Sequence, residues 1–562
     1  MKIFAPYSGF AAVCAVLVFS TTGAAQNVKK DFTRPQTFDV KNYTVRASFD
    51  RTAKKVLGDT IVTLSPLKKA LSTIELDSAD IVYSEVSDVD RNTPLKFRTA
   101  HEKVFVELGR SVPTGQDISI RFIYVSTPTR GVYFQPPQIE NGKEVRSAQI
   151  WSQGEADEAH HWFPSFDFPS DKATGEEYIT ANAGETVIGN GELIEKTSNA
   201  DGSATWHFKM SIPHSTYLVS FVIGKYTAVN DKFGEIPLGY YVYPGRESIV
   251  PKAFGKTADI LRVYEELTGV KFPYNKYDQT IVANFAFGGM ENITATTLAD
   301  LEVFLANFDF GKSTVEDLVS HEAAHSWFGD LVTCRNWAEL WLNEGFATYM
   351  EAAYREKTYG HANYLIKVRD DASIFMADDA VNPRPNGLFN QNAGDIDKLF
   401  ERSATVYNKG GAVLHMLREQ VGEKVFWTAV HNYLEKNRFG TVESTDLKAA
   451  MEEASGQKLN WFFAQWVYGG GYPKLTVRSK YDAGAKTIRI TVTQIQKGDK
   501  LVPERCCMPM DVELKTADGT RIERLDVTKR AETFSIQSDK APTSVKLDPE
   551  EKVILKSVKI LP

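Results

Sequence analysis

Residues 321–350 read HEAAHSWFGDLVTCRNWAELWLNEGFATYM and contain two histidines four positions apart. Apolar residues recur three and four positions apart in TVEDLVSHEAAHSWFG and again in ELWLNEGFATYMEAAYREKTYG, which predicts two helices. On the first helix, His321 and His325 lie about one turn apart on the same face, so both imidazoles can reach one cation. On the second helix, Glu344 follows His325 after eighteen intervening residues and supplies a carboxylate.

This spacing predicts a catalytic zinc site. The two histidines and Glu344 provide three ligands and leave the fourth position of a tetrahedral ion open, as a hydrolytic site requires. Glu322 is rotated by roughly 100° from His321, so it borders the ion and is placed to act as a general base. The alternative is a pair of surface histidines on an amphipathic helix, but the apolar residues of VEDLVS favour a packed helix.

Length and composition indicate a large globular protein. A chain of 562 residues is too long for one compact core, so about two to four domains are expected. Apolar residues make up 43% and charged residues 24%, which is typical of a folded soluble chain. The net charge of −7, without a long basic run, gives nucleic-acid binding no electrostatic support.

The first 25 residues predict a secretory signal peptide. Lys2 precedes an apolar run that ends near Phe19, and the small residues Gly23 and Ala25 stand before a cleavage point at Gln26. The mature chain is then secreted or periplasmic, because no other stretch is long and apolar enough to span a membrane. The alternative is an uncleaved N-terminal segment that anchors the chain in a membrane.

The remaining residues predict a multidomain α+β protein. Apolar and polar residues alternate through much of 26–226, as in ISIRFIYV (118–125), which predicts an N-terminal antiparallel β domain. Helical periodicity dominates 227–469 and predicts a mostly α domain around the zinc motif. Alternation returns in 470–562, after the glycine-rich linker WVYGGGYP, and predicts a small C-terminal β-sandwich.

The segment FAFGGMEN (285–292) lies upstream of the zinc motif. Its two glycines allow the backbone to approach a ligand closely, and Glu291 supplies a negative charge. A carboxylate fixed near the zinc would bind the α-ammonium group of a peptide and hold the first peptide bond over the metal. From spacing alone, however, a Gly-Gly pair is common in turns, and a lone glutamate is usually a solvated side chain.

These segments resemble the gluzincin aminopeptidases, the zinc metallopeptidase family that includes aminopeptidase N, the puromycin-sensitive aminopeptidase and the leukotriene-epoxide hydrolase. The resemblance rests on HEAAHSWFGD…LWLNEGFATYME and on GGMEN, and it covers almost the whole mature chain. It implies a thermolysin-like zinc domain between the two β domains, and removal of N-terminal residues from peptides with a free N-terminus. One zinc ion per chain would be bound by His321, His325 and Glu344, with Glu322 as the base.

The resemblance also implies roles near GGMEN and in a later segment. Glu291 corresponds to the amine-binding glutamate, and Gly288, Gly289 and Met290 to residues whose main chain contacts the substrate. The segment VYNKGGAVLHML (406–417) resembles the part of the family that carries the catalytic tyrosine, here Tyr407. A phenol keeps its proton at neutral pH and can donate a hydrogen bond to the developing oxyanion.

A further implied contribution comes from the N-terminal β domain. IWSQGEADEAHHWFPSFDFPSD (150–171) resembles the family segment with Gln-x-Glu that reaches the zinc site. Gln153 is then expected to bind the backbone of the first substrate residue, and Glu155 to be the second amine-binding carboxylate. The nearby acids Asp157 and Glu158 are interpreted as surface charge.

The chain also departs from many family members, which continue with a large helical domain that caps the site. Here the sequence given ends at Pro562, after the predicted sandwich. The site is therefore expected to be more open, or to be covered by a second subunit in a homo-oligomer. Conclusions about peptide length that depend on the capping domain therefore do not apply to this chain.

Three other functions stay open at this point. A hydrolase of lipid epoxides would use a similar site, but that branch of the family has Gln where Glu155 stands. A thermolysin-like endopeptidase would share the zinc motif without needing Glu291. A catalytically dead secreted binding protein would be expected to have lost the base or a ligand, and all of these residues are present.

Overall fold

The computed structural model describes residues 30–382 and 385–561. The predicted signal peptide, residues 1–25, lies outside the described residues. Within those two ranges, no helix combines the length and the apolar character needed to cross a membrane.

The N-terminal domain consists of β-strands. Buried residues alternate with less buried ones along Ile118–Ser126, because successive side chains of a strand point to opposite faces. In chain order its strands are β1 Phe38–Asp50, β2 Lys55–Pro66, β3 Leu71–Asp77, β4 Ile81–Asp88, β5 Thr93–Pro94, β6 Lys96–Ala100, β7 Lys103–Val112, β8 Ile118–Ser126, β9 Val132–Gln135, β10 Gln138–Glu140, β11 Lys143–Arg146, β12 Gln149–Ser152, β13 Ala173–Ala181, β14 Thr186–Gly189, β15 Glu192–Ser198, β16 Ala204–His214 and β17 Phe221–Gly224.

These strands form one large sheet and several smaller ones. The large sheet has the order β15-β16-β13-β1-β2-β8-β4-β5, and the smaller sheets are β3-β7-β6, β14-β17-β12-β9 and the pair β10-β11. One apolar cluster takes residues from the three larger sheets, including Ile120, Val106 and Phe221. The large sheet is antiparallel as predicted, except that β1 and β13 run parallel. Alternation within single strands carries no information about the direction of partners so distant in the chain.

The middle domain begins with a mixed sheet that helical periodicity did not predict. Its strands are β18 Thr227–Phe233, β19 Ile236–Val242, β20 Tyr277–Val282, β21 Gly289–Met290 and β22 Ala295–Ala299. Their order is β18-β19-β20-β22-β21, so the glycine-rich β21 is an edge strand and pairs antiparallel with β22. The predicted boundary at residue 226 falls between β17 and β18.

Helices make up most of the rest of the middle domain, as predicted. They are α1 Val250–Ala253, α2 Thr257–Thr268, α3 Asp300–Phe304, α4 Lys312–Ala324, α5 Trp341–Tyr359, α6 His361–Val381, α7 Gly410–Val421, α8 Glu423–Lys436, α9 Ser444–Ser455 and α10 Asn460–Trp466. A single π-helical turn, Thr405–Lys409, leads directly into α7, and the short strands β23 Thr333–Cys334 and β24 Thr441–Val442 pair in parallel.

Helix α5 is the centre of this domain. All of its residues from Trp341 to Tyr354 are buried, on every face of the helix, and it packs against α4, α6 and α7. It meets the start of α7 at two glycines: a Cβ atom on Gly410 would lie 2.6 Å from the Cα atom of Gly345. No side chain fits between the two backbones there, so the turn before α7 lies close to the first turn of α5.

The C-terminal domain is a pair of facing sheets, as predicted. Their orders are β29-β26-β25-β31 and β28-β27-β30. The predicted linker before these sheets is packed rather than free: Val467 is fully buried, and Lys409 Nζ donates to the carbonyl oxygen of Gly469 at 2.8 Å. The strands are β25 Lys474–Asp482, β26 Thr487–Gln494, β27 Met508–Thr516, β28 Gly519–Val527, β29 Ala531–Gln537, β30 Ser544–Leu547 and β31 Ser557–Leu561.

Candidate metal centre

Helices α4 and α5 bring the three predicted metal ligands together. His321 lies in the last turn of α4, His325 directly follows that helix, and Glu344 lies in the first turn of α5. The Nε2 atoms of His321 and His325 lie 3.2 Å and 3.5 Å from the same Glu344 oxygen, Oε2. The two Nε2 atoms and the Glu344 carboxylate therefore lie around one position, toward which their lone pairs can point.

The other ring nitrogen of each histidine is already engaged. Nδ1 of His325 lies 2.9 Å from the carbonyl oxygen of Phe328, which can only accept, so Nδ1 carries the proton. Nδ1 of His321 lies 2.8 Å from the carboxylate of Glu351 and donates to it. Both Nε2 atoms are then free of a proton in the neutral rings and available to a cation.

The predicted base, Glu322, lies between the donors and the edge strand β21. A Cβ atom on Gly289 would collide with the Glu322 carboxylate, so a larger residue at position 289 would displace this side chain. Glu322 is buried, and its Oε2 has no hydrogen-bond partner among the described residues. Burial raises the pKa of Glu322 to about 8, although the nearby rings of His321 and His325 act in the opposite direction.

Glu155 and Glu291 lie beside the metal donors. One carboxylate oxygen of each, together with one of Glu344, lies within 4.8 Å of the other two. All three side chains are buried. Burial, and then repulsion from Glu291, raise the pKa of Glu155 well above its usual value, and burial also raises the pKa of Glu291.

The segment that carries Glu155 is anchored to the segment that carries Glu291. The side-chain amide of Gln153 donates to the Met290 sulfur at 3.2 Å, and its Oε1 is buried without a partner in the described part of the chain. Glu158 is not surface charge as predicted, because it accepts hydrogen bonds from Tyr133 and from the amide of Gly131.

Tyr407 lies against the metal donors in the π-helical turn. Its ring stacks on the ring of His321, with centroids 5.8 Å apart and planes inclined by 18°. Burial, and then the negative charge of Glu344, raise the pKa of Tyr407 well above its usual value. The phenol therefore keeps its proton and is able to donate a hydrogen bond.

Comparison with known proteins places this arrangement in a family. Residues 252–466 match the peptidase family M1 domain, and residues 39–218 match the peptidase M1 N-terminal domain. The chain belongs to peptidase family M1. The two matched regions contain every residue singled out above for the M1 centre, from Gln153 and Glu155 to Tyr407.

The curated relatives of this M1 chain carry aminopeptidase names. Aminopeptidase 2 of Candida albicans is 29% identical over 84% of this chain and 51% of its own length. The puromycin-sensitive aminopeptidase of Caenorhabditis elegans is 27% identical over 75% of this chain and 46% of its own. Aminopeptidase N of Streptomyces lividans is 32% identical over 62% of this chain and 41% of its own. The chain thus spans about half the length of the curated relatives it matches.

Family M1 is zinc-dependent, and the donors of this M1 chain fit such an ion. Two imidazole nitrogens and a carboxylate oxygen are ligands that zinc accepts. Around them, Glu155 Oε1, Glu291 Oε1 and Glu322 Oε2 are buried and have no hydrogen-bond partner among residues 30–382 and 385–561. Buried carboxylates of this kind stay ionised only beside cations, and a metal ion held by the three donors would supply that charge.

Sequence reasoning missed Glu351, the carboxylate that contacts His321. It lies seven residues after Glu344 on α5, and therefore on nearly the same face two turns further along. That spacing is a signal the sequence contains. A carboxylate that accepts from the second nitrogen of a histidine ligand fixes the orientation of the ring and makes it more basic.

Replacing this carboxylate by its amide is expected to weaken metal binding. In Glu351→Gln, the zinc Kd measured by chelator competition should rise by roughly 10- to 100-fold, because a neutral amide supports the His321 ring less strongly than a carboxylate. The matched control is Glu356→Gln on the same helix, whose carboxylate binds Arg418 and His361. Equal zinc affinity in the two variants would contradict the role given to Glu351.

Proposed function

We propose that this chain is a zinc-dependent aminopeptidase that releases the N-terminal residue of peptides. The observation that carries the proposal is the position of Glu155 and Glu291: two buried carboxylates, short of hydrogen bonds, next to a three-donor metal centre. An α-ammonium group is the part of a peptide that would neutralise them. Its distance from the first peptide bond is fixed, so binding it limits cleavage to that bond.

The proposed substrate contacts come from two segments. Glu291 and Glu155 bind the free amine, and the Gln153 amide binds the backbone of the first residue. The main chain of Gly288, Gly289 and Met290, at the edge of the five-stranded sheet, lies along the substrate. An edge strand offers unpaired backbone groups to an extended peptide, which supports this assignment.

The chemistry divides between a bound ion and the side chains around it. We propose that His321, His325 and Glu344 hold one zinc ion per chain, which when bound would polarise the scissile carbonyl and activate water. Glu322 takes a proton from the attacking water and passes it to the leaving amine. Tyr407 donates a hydrogen bond to the oxygen on which negative charge develops.

A panel of reporter amides tests this proposal. Aminoacyl amides with a free amine are expected to be hydrolysed at least ~100-fold faster, in kcat/KM, than the same amides with an acetylated N-terminus, because acetylation removes a charge that buried carboxylates bind. Dialysis against a chelator should abolish the activity, and added zinc should restore it.

The other outcomes of the panel separate the alternatives. Equal rates on free and acetylated substrates would favour an endopeptidase and overturn the aminopeptidase proposal. Zinc binding without hydrolysis of any amide would favour a binding protein, and turnover of a lipid epoxide in place of amides would favour an epoxide hydrolase. Secretion through the signal peptide of residues 1–25 and assembly into a homo-oligomer stay predictions from the sequence.

A further inference from the structure

A chain of buried polar contacts begins at the second nitrogen of His321. Glu351 contacts that nitrogen through Oε1 at 2.8 Å, and through Oε2 it contacts Lys367 Nζ at 2.9 Å. Lys367 lies on α6, and its side chain is almost fully buried. The ammonium group therefore fixes the carboxylate that orients the metal-binding histidine.

The Lys367 ammonium group extends this series of polar contacts away from the metal centre. Lys367 Nζ donates to both oxygens of Asp371, at 2.8 Å each, one turn further along α6. Asp371 is buried, and its Oδ1 also accepts a hydrogen bond of 2.8 Å from the side-chain amide of Asn408. One ammonium group thus bridges two buried carboxylates, those of Glu351 and Asp371.

Asn408 connects these contacts to Tyr407, because it follows Tyr407 in the π-helical turn. The Tyr407 ring stacks on His321, where the chain of contacts began. A π-helical turn is rare and uses an irregular backbone hydrogen-bond pattern, so its geometry depends on support from outside the helix. Two residues after Asn408, the backbone of Gly410 approaches that of Gly345 too closely for any side chain, which also holds this part of the chain against α5.

We propose that Asp371, acting through the amide of Asn408, is a positioning residue for Tyr407. Its carboxylate holds the turn in the orientation that keeps the Tyr407 hydroxyl beside the metal centre. Lys367 ties this support to Glu351, so one buried side-chain network orients both the metal-binding His321 and the hydrogen-bond donor. The inference rests on the proposed aminopeptidase function and assigns residues that the zinc motif does not contain.

The test is a double-mutant cycle between Asn408→Ala and Tyr407→Phe. Asn408→Ala is expected to lower kcat by about tenfold, with KM and zinc affinity unchanged, because a hydrogen bond to a charged group is lost and the tyrosine shifts. Tyr407→Phe alone should lower kcat by roughly 10²–10³-fold. If Asn408 acts through the Tyr407 hydroxyl, the double variant should have the same kcat as Tyr407→Phe alone.

Binding provides a readout that is independent of turnover. The probe is an aminophosphonic acid, whose tetrahedral phosphonate resembles the hydrated peptide bond. Its Kd, measured by calorimetry, should be higher for each single variant than for the wild type. The Kd for the double variant should be no higher than that for Tyr407→Phe. Asn437→Ala is the matched control, since that amide donates one hydrogen bond of 2.8 Å to the Tyr433 carbonyl, in another helix. Asn437→Ala should show the same small change in the midpoint of thermal unfolding as Asn408→Ala, and it should leave kcat unaltered.

The outcomes distinguish this inference from the proposed function. A wild-type chain that hydrolyses no free aminoacyl amide would overturn both. An active wild type in which the effects of the two substitutions multiply would overturn the positioning role alone, because Asn408 would then act independently of the hydroxyl. Loss of zinc affinity in Asn408→Ala would also overturn it.

Discussion

A Glu322→Gln variant is expected to lose roughly 10²–10⁴-fold in kcat while it keeps its zinc. Glutamine has the same shape as glutamate and fits the space that Gly289 leaves, so the fold should not change. What it lacks is a carboxylate that accepts a proton from water and returns it to the leaving amine. The measurement is kcat on a free aminoacyl amide, together with the zinc content of the purified variant.

The matched control for this variant is Glu316→Gln. Glu316 lies on the same helix, α4, but it binds Lys256 and the Tyr359 hydroxyl instead of facing the metal donors. It should retain wild-type kcat. If Glu322→Gln retained wild-type turnover with full zinc occupancy, another group would have to be the base.

The convergence of His321, His325 and Glu344, the proposed metal donors, was predictable because their geometry is local. His321 and His325 share a face through the pitch of one helix, and a second helical pattern places Glu344 within reach. The spacing of the motif therefore determines most of the relative positions of these three side chains. The same holds for Glu322, whose position relative to His321 follows from one residue of helical rotation.

The supporting residues could not be predicted in this way. Lys367, Asp371 and Asn408 belong to α6 and to an irregular turn, and their contacts depend on how these elements pack around α5. Burial of α5 on every face, which brings α6 and α7 against it, is likewise a tertiary property that a three-and-four pattern does not specify. Pairing of β1 with β13 is non-local for the same reason.

Substituting Glu291 should separate substrate binding from the chemistry at the metal. In Glu291→Gln, kcat/KM on free aminoacyl amides is expected to fall by roughly 30- to 5,000-fold, which corresponds to about 2–5 kcal/mol for losing one partner of a buried charge pair. The slow hydrolysis of N-acetylated amides should hardly change, because those substrates bring no ammonium group. The preference for a free N-terminus would therefore largely collapse.

The comparison of the two substrates within one variant is what makes this test sharp. A variant with a damaged metal centre would lose activity on free and acetylated amides alike, and its zinc affinity would fall. Glu247→Gln, at a partly exposed position, controls for the change in net charge of the chain. If Glu291→Gln kept the wild-type ratio of the two rates, Glu291 would not bind the substrate amine. Glu155, the second proposed amine-binding carboxylate, would then be left to bind the amine without it.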